Sequence, residues 1–433
     1  MSLTNFPSGF AAGVTVRGMP LLQTHPGNVF WVDNGFGVSG GPSAQAIRTV
    51  GGSDNNHGTF QRPFATIAYA LSQCVHGNGD IIMVKPGHKE VVNAAGSGAL
   101  NMAPVYDPTG AIVVSQGGSA GYQWNMNCGS AAIIGLGTGS QRPTITWSTA
   151  TTANVLIESS NMTLQNFVFQ ANFAAVAAAF TGTGGSSATS TIGAAGTAGA
   201  TSGNVLNVVG AVTGGFYPGA TVIGTGVTPG TMILSQLSGT TNGIGTYMVN
   251  INQAVTSTTI TSGATDFNIE SCEFRDLGAA LNFLNLITTS NITNGQDGLR
   301  FVNNKFISKA TAAAAATAIA IAAVIDRLTV TDNYAVATAA STGPLLVAGS
   351  TFAMTSADIG RNIGSKPTTA ATGSLVTGTG ASTGMFHDNA CWTLATATGL
   401  IITASTGLGA ANNYGTITGS ATNPNAIINP VPA

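Results

Sequence analysis

Three stretches read almost alike: Phe267-Asn-Ile-Glu-Ser-Cys-Glu-Phe274, Leu299-Arg-Phe-Val-Asn-Asn-Lys-Phe306 and Leu328-Thr-Val-Thr-Asp-Asn-Tyr334. Each alternates apolar and polar residues, passes through a small polar pair and ends on an aromatic. Alternation with a period of two gives a strand one core face and one outer face. The small polar pair supplies the turn chemistry that ends one strand and starts the next. Aligning Cys272, Asn304 and Asn333 gives intervals of 32 and 29 residues. A coil of a large β-solenoid takes roughly 20 to 30 residues. The three stretches are therefore expected to be successive coils, with Asn side chains at equivalent corners stacking along the axis.

Similar texture continues toward the N-terminus. Ala131-Ala-Ile-Ile-Gly-Leu-Gly137 precedes Arg142-Pro-Thr-Ile-Thr-Trp147, and Asn154-Val-Leu-Ile-Glu158 precedes Met162-Thr-Leu-Gln-Asn-Phe-Val-Phe169. Earlier still, Phe64, Ile67, Ala68, Leu71 and Val75 recur at helical spacing after Pro63, which predicts a short helix over about 63–76. Gly77-Asn-Gly79 stops it, and Asp80-Ile-Ile-Met-Val-Lys-Pro-Gly-His88 predicts a first rung ended by Pro-Gly. A helix placed there would cover an apolar cross-section and unpaired strand groups that an open solenoid end leaves in water.

The coil pattern is interrupted between Phe169 and Phe267. The intervening Gly184–Gly263 holds its own alternating, Gly-punctuated segments, among them Phe216–Leu234, Gly245–Asn250 and Gln253–Ile260. These predict a small β-barrel or sandwich inserted between two rungs. The expected organisation is an arm at 1–50, a β-helix with capping helix at 51–183, the inserted β module at 184–263, the β-helix continued at 264–340, and a C-terminal β region and tail at 341–433. Within the last segment, Ser341–Ala348, Ala390–Ala397 and Gly399–Ser405 are candidate strands and the end is Pro-rich. In the first, Asn28-Val-Phe-Trp-Val-Asp33 alternates well enough for a strand, and residues 1–60 otherwise read as irregular.

Charged residues are only 6% of the chain, against roughly 25% in an ordinary soluble domain. Hydrophobic residues still reach 44%, which excludes a disordered chain. Net charge is −2 with 13 scattered Lys and Arg, so there is no basic patch for nucleic acid. So little charge gives weak colloidal repulsion and implies an assembled state with much surface covered. The start lacks the basic and apolar regions of a signal peptide, so cytoplasmic synthesis without export is expected. The longest apolar stretch, Ala312–Ile325, is too short and Thr-rich to span a bilayer, so no membrane is expected. Cys74, Cys128, Cys272 and Cys391 form no CxxC pair and read as small buried residues.

The segments Gly58–Leu71, Gly79–Glu90 and Ile133–Thr146 resemble a family of phage-encoded, pectin-lyase-like β-helix proteins. The resemblance covers about residues 50–335 without the insertion. Thr225-Gly-Val-Thr-Pro-Gly230 is similar to small β modules of phage tail and capsid-surface proteins. Together, pattern and resemblance imply an all-β chain: a right-handed parallel β-helix with an N-terminal capping helix and an inserted β module. The resemblance further implies a structural protein of a tailed-phage virion.

A search for catalytic chemistry among the residues gives little. Enzymatic β-helices use paired carboxylates. The densest acidic group is Glu270, Glu273 and Asp276, but regular alternation sets Glu270 and Glu273 on opposite faces. Glu158 is a possible neighbour of Glu270 on an adjacent rung. His57, His76 and His88 cluster in the cap region and read as turn or interface residues, with Lys85 and Glu90 beside His88. Asp54 with Asn55 and Asn56 fits no standard cation loop. Gly135-Leu-Gly-Thr-Gly139 lacks the Lys and helix of a phosphate loop. His387-Asp388 lacks a Ser motif. Asn161-Met-Thr163 and Asn291-Ile-Thr293 read as rung turns rather than glycosylation sites. The expectation is no enzyme, no catalytic or metal residues and no cofactor.

The first function expected is capsid decoration: a cement protein on the head surface, bound to the major capsid protein as a homotrimer, with residues 1–60 as a gripping arm. The alternative is a tail spike or fibre that binds or cleaves host surface polysaccharide. A glycan-binding head appendage, with the inserted module as its binding part, lies between them.

Overall fold

The structure is a computed structural model and describes residues 27–33, 52–92, 128–147, 153–182, 185–195, 199, 201–210, 212, 215–291, 293–310, 317–337, 345–349, 351–366, 374–379, 381–393 and 408–413. It also describes short strands at 14–16, 19–21, 105–106, 112–113, 122–126, 400–403 and 416–418.

Among the described residues three large parallel sheets wrap one core, and each coil from Ile81 to Thr403 gives a strand to each in turn. This is a parallel β-helix. The first sheet has ten strands, from Val29–Val32 and Ile81–Val84 to Gly384–His387 and Leu408–Ala411. The second has eight, Lys89–Val92 to Ala390–Thr393, and the third nine, Tyr122–Met126 to Thr416–Thr418. Parallel register stacks like positions. In the first sheet Ile82, Ile133, Leu164, Ile269, Phe301, Val330, Ile359 and Phe386 form one inward column, all fully buried. The second sheet stacks Ile145, Phe169, Phe274 and Phe306, with the Phe169 and Phe274 rings 4.9 Å apart. The third stacks Val155, Phe180, Ile287, Ile319, Val347 and Val376.

The corner between the first and second sheets is built from a two-residue device. Its first residue adopts a left-handed conformation at Asn166, Ser271, Asn303, Asp332, Arg361, Asp388 and Asn412, with φ between 51° and 65°. Asn and Asp tolerate that conformation best among residues with a side chain. The next residue is buried, and from Asn304 onward it is always Asn. Oδ1 of Asn304, Asn333, Asn362, Asn389 and Asn413 accepts the N–H of the equivalent residue one coil earlier, at 2.8–3.0 Å. Each Nδ2 donates to a main-chain carbonyl of that earlier coil, from Ile269 to Phe386. The intervals along this row are 32, 29, 29, 27 and 24 residues.

Several expectations need correction. The β-helix does not end at residue 340: Ala357–Gly360, Gly384–His387 and Leu408–Ala411 extend its first sheet. In the second sheet these coils place Gly364 and Cys391 at the inward position that Phe274 and Phe306 fill earlier, which hides the alternation. The strand at 80–85 is not the first rung, because Val29–Val32 pairs with it in parallel from the far side. The capping helix is shorter than expected, Ile67–Ser72, with Thr66 Oγ1 accepting the Tyr69 N–H at its start. Ile67, Ala70 and Leu71 are buried beneath it, but Val75 lies past its end and is exposed. The Pro-rich tail and most of the arm fall outside the described residues.

Between Phe180–Gly182 and Asn268–Glu270 the chain leaves the coil and forms six antiparallel strands, from Gly185–Gly193 to Val255–Gly263. The outermost two, Thr221–Gly224 and Ile233–Gly239, meet through a Thr221–Met232 bridge and bonds from Val222 N to Thr231 O and Ile233 N to Ala220 O. The sheet therefore closes into a barrel, which removes its free edges. Its interior is a separate core that includes Ile192, Leu206, Phe216, Ile233, Tyr247, Val249 and Ile260. Ser160, fully buried at the corner where the barrel rests, accepts the N–H of Thr221 and of Thr265 at 3.0 and 2.9 Å and donates to Gly263 O.

Candidate functional site

The left-handed corner residues project outward, one per coil, and make a polar ridge beside the second sheet. Ser271 is half-buried, and Asn303, Asp332, Arg361, Asp388 and Asn412 are exposed. Asn166, at the other end, is folded inward, with Nδ2 donating to the carbonyls of Gly135 and Gly137.

Toward the barrel the ridge borders a shallow groove of about 370 Å³, lined by Thr138, Arg142, Ser271, Glu273, Asn303 and Lys305 among others. Glu273 is gripped from two sides: Oε2 by Arg142 Nη2, and Oε1 by Arg275 Nε at 3.2 Å. Lys305 sits in register with Glu273, and Tyr334 in register with Lys305, all facing outward on neighbouring strands. Tyr334 is 45% exposed and Ile363, next in the row, 39%. The surface thus offers charged donors, amide and hydroxyl groups and an open aromatic face within a few strand spacings of about 4.8 Å each.

Toward the C-terminal end a second groove, about 660 Å³, is lined by Asp358, Met385, His387, Asp388 and Asn412 among others. His387 bonds both carboxylates, Nδ1 to Asp388 Oδ2 at 2.8 Å and Nε2 to Asp358 Oδ1 at 2.9 Å. Its ring lies so close over Gly360 that a Cβ there would stand 2.4 Å from it. Asp388 first, and Asp358 after it, raise the His387 pKa above its ordinary value. Between the grooves Arg361 bonds both oxygens of Asp332 at 2.7 and 2.8 Å, and this holds the Asp332 carboxyl below its usual range.

The acidic residues singled out in the sequence do not converge. Glu270 and Glu273 both face outward rather than oppositely, because the left-handed bend at Ser271 resets the alternation. They lie on adjoining sheets. Asp276 points inward, 1% exposed, and accepts from Phe283 N, Lys309 N and Ser308 Oγ. Burial pushes its pKa to about 6. Glu158 is not beside Glu270: it follows a third-sheet strand, whereas Gln165 is the register partner of Glu270. Burial pushes the Glu158 pKa to about 8.

The cap residues are engaged in local bonds. Asp54 Oδ1 accepts the Ala65 and Thr66 N–H, and Oδ2 accepts Thr66 Oγ1. Glu90 Oε2 accepts the Ile67 N–H at 3.2 Å and meets His88 Nε2 at 3.0 Å. Lys85, 1% exposed, donates to Phe60 O and lies over the Phe60 ring. His76 Nδ1 accepts the Gly129 N–H, and burial lowers its pKa. His57 is exposed. Gly137 and Gly139 take positive φ in the turn before Thr144–Trp147. Among the described residues no group of three His, Cys, Asp or Glu is arranged to hold a metal, and no helix is long and apolar enough to cross a membrane.

Sequence reasoning missed the ridge. Its signal was the dipeptides Arg361-Asn362, Asp388-Asn389 and Asn412-Asn413, which carry the 304 and 333 pattern onward.

No family model matches the sequence, and no curated protein matches it. Among solved structures the chain is similar to a rhamnogalacturonan lyase, at 9% identity and a TM-score of 0.34, over 89% of this chain and 87% of that one. It is also similar to the tailspike protein gp49 from Pseudomonas phage LKA1, at 9% identity and a TM-score of 0.22, over 69% of this chain and 54% of that one.

Proposed function

We propose that the chain is a phage-particle β-helix of the tail-spike kind that binds host surface polysaccharide along the outer ridge between its first and second sheets. The observation that carries this reading is the row Glu273–Lys305–Tyr334 beside the groove formed with Arg142, Ser271 and Asn303. Sugars present hydroxyls at their edges and weakly apolar C–H faces. A row of fixed donors and acceptors next to an open phenol ring suits both. The repeat of the coil sets such groups at regular steps, which matches a polymer better than a single small molecule.

The proposal is of binding. Each oxygen of Glu273 already faces a guanidinium, so the carboxylate serves to order Arg142 and Arg275 beside the groove. The phage assignment rests on the sequence resemblance of residues 58–90 and 133–146.

The test is direct binding of host capsule and lipopolysaccharide fragments to the purified chain. Tyr334→Ala with Lys305→Ala is expected to weaken binding by about tenfold or more, equivalent to 1.4 kcal/mol, with unchanged circular dichroism. Undiminished binding in that variant would move the site elsewhere. A chain that binds no host glycan, and that sits on the head surface in a particle reconstruction, would restore capsid decoration as the reading.

A further inference from the structure

Cys74 and Cys128 are brought together from opposite ends of one coil. Cys74 lies just past the capping helix, half-buried, with its thiol donating to Ala70 O at 3.4 Å. Cys128 precedes the strand Ala132–Gly135 and is 2% exposed. Cys128 belongs to the main apolar core, and Cys74 packs against that core. Two bonds knit their flanks: Gly77 N donates to Gly129 O at 2.9 Å, and Gly129 N donates to His76 Nδ1 at 3.2 Å. These ties hold the 74–77 turn against residues 128–129 and set the two cysteines against the same part of the core. Both are free thiols in this structure. Cys272 and Cys391 lie on other coils, at a corner and in a second-sheet strand.

We propose that Cys74 and Cys128 are a modification site: in an oxidising medium they form an intrachain disulfide that staples the capping helix to the end of the coil that begins at Ile81. With glutathione disulfide as oxidant, the Cys74 thiolate attacks one glutathione sulfur and the other glutathione leaves as a thiolate with the bonding pair. Cys128 then loses its proton, attacks the Cys74 sulfur of the mixed disulfide and expels the second glutathione. Two protein thiols lose two electrons and two protons, and one glutathione disulfide becomes two glutathione thiols. Cys74 must react first, because Cys128 is sealed in the core. Contact with Cys128 first, and burial after it, hold the Cys74 thiol pKa high. The thiolate is the reactive form, so the exchange should quicken markedly in mild alkali.

The test uses the full chain, incubated with glutathione disulfide, then alkylated and weighed intact and as peptides. The expected result is a loss of mass equal to two hydrogens, a peptide joining Cys74 to Cys128, and faster closure at higher pH. In Cys128→Ser the expected product is instead a stable glutathione adduct on Cys74. The oxidised chain should melt higher than the reduced one by about 3 °C or more. Four free thiols after oxidation, a cross-link to Cys272 or Cys391, or a wild-type adduct on Cys74 that never closes would overturn the proposal. So would an oxidised chain with no gain in melting temperature. If Cys128→Ser does not fold, the wild-type peptide map and its time course decide alone.

Discussion

The N–H of Asn304 donates to Oδ1 of Asn333 at 2.8 Å, across 29 residues of sequence. The same Asn333 donates through Nδ2 to Phe301 O, so one buried side chain satisfies two main-chain groups of the preceding coil. Asn333→Leu would strand both in the core. Each unpaired buried group costs about 1–3 kcal/mol, so a loss of about 2–5 kcal/mol is expected in denaturant unfolding. Asn333→Asp keeps the acceptor but not the donor and should also destabilise.

The barrel's seat on the coil depends on Ser160 in the same way. Ser160→Ala leaves the Thr221 and Thr265 N–H groups without their acceptor. The expected cost is about 2–4 kcal/mol. It should appear locally, as protease cleavage at the barrel junctions under conditions in which the wild-type chain is uncut.

Phe274→Ala removes a fully buried ring that stacks on Phe169 and stands in register with Phe306. A loss of about 3–5 kcal/mol is expected, read as a fall in melting temperature. An unchanged melting temperature would contradict the inward column described for the second sheet.

Glu158 predicts a pH dependence. Its folded pKa, about 8, lies above the ordinary 4.5. Between those values the folded state keeps a proton that the unfolded state has released, so stability falls as pH rises through that window. Asp276 acts in the same sense between 3.8 and about 6. Glu158→Gln should flatten the stability profile between pH 5 and pH 8, by an amount on the order of a few kcal/mol at the upper end. Urea melts across that range check it.

Legibility in the sequence followed how local each cause is. The stretches at 267–274, 299–306 and 328–334 formed strand, corner and strand because alternation and turn chemistry act within a few residues. Asn304 and Asn333 were readable as a stacked pair for the same reason. Val29–Val32 was not readable as a rung, because its partner Ile81–Val84 lies a loop away. The last coils were hidden because Gly364 and Cys391 occupy inward positions that Phe274 and Phe306 fill earlier. Glu270 and Glu273 were misplaced because alternation does not carry through a left-handed residue. The grooves join side chains from different coils, and no window of one coil's length contains them.

His387 predicts the same pH sense as Glu158, by charge pairing rather than by burial. Its raised pKa means the Asp388 and Asp358 contacts contribute fully below about pH 6.5 and are lost as pH rises through the folded value. Nuclear magnetic resonance should find its titration midpoint above the ordinary 6.5. Asp388→Asn should lower that midpoint more than Asp358→Asn does.

The Asn row also measures how much chain each coil uses, and the amount declines steadily from 32 residues to 24. The last coil therefore closes with eight residues fewer than the first of the row. Coil length so gives the shaft a polarity, long coils beside the barrel and short ones toward Leu408–Ala411, that any partner reading its repeat would meet in one order only.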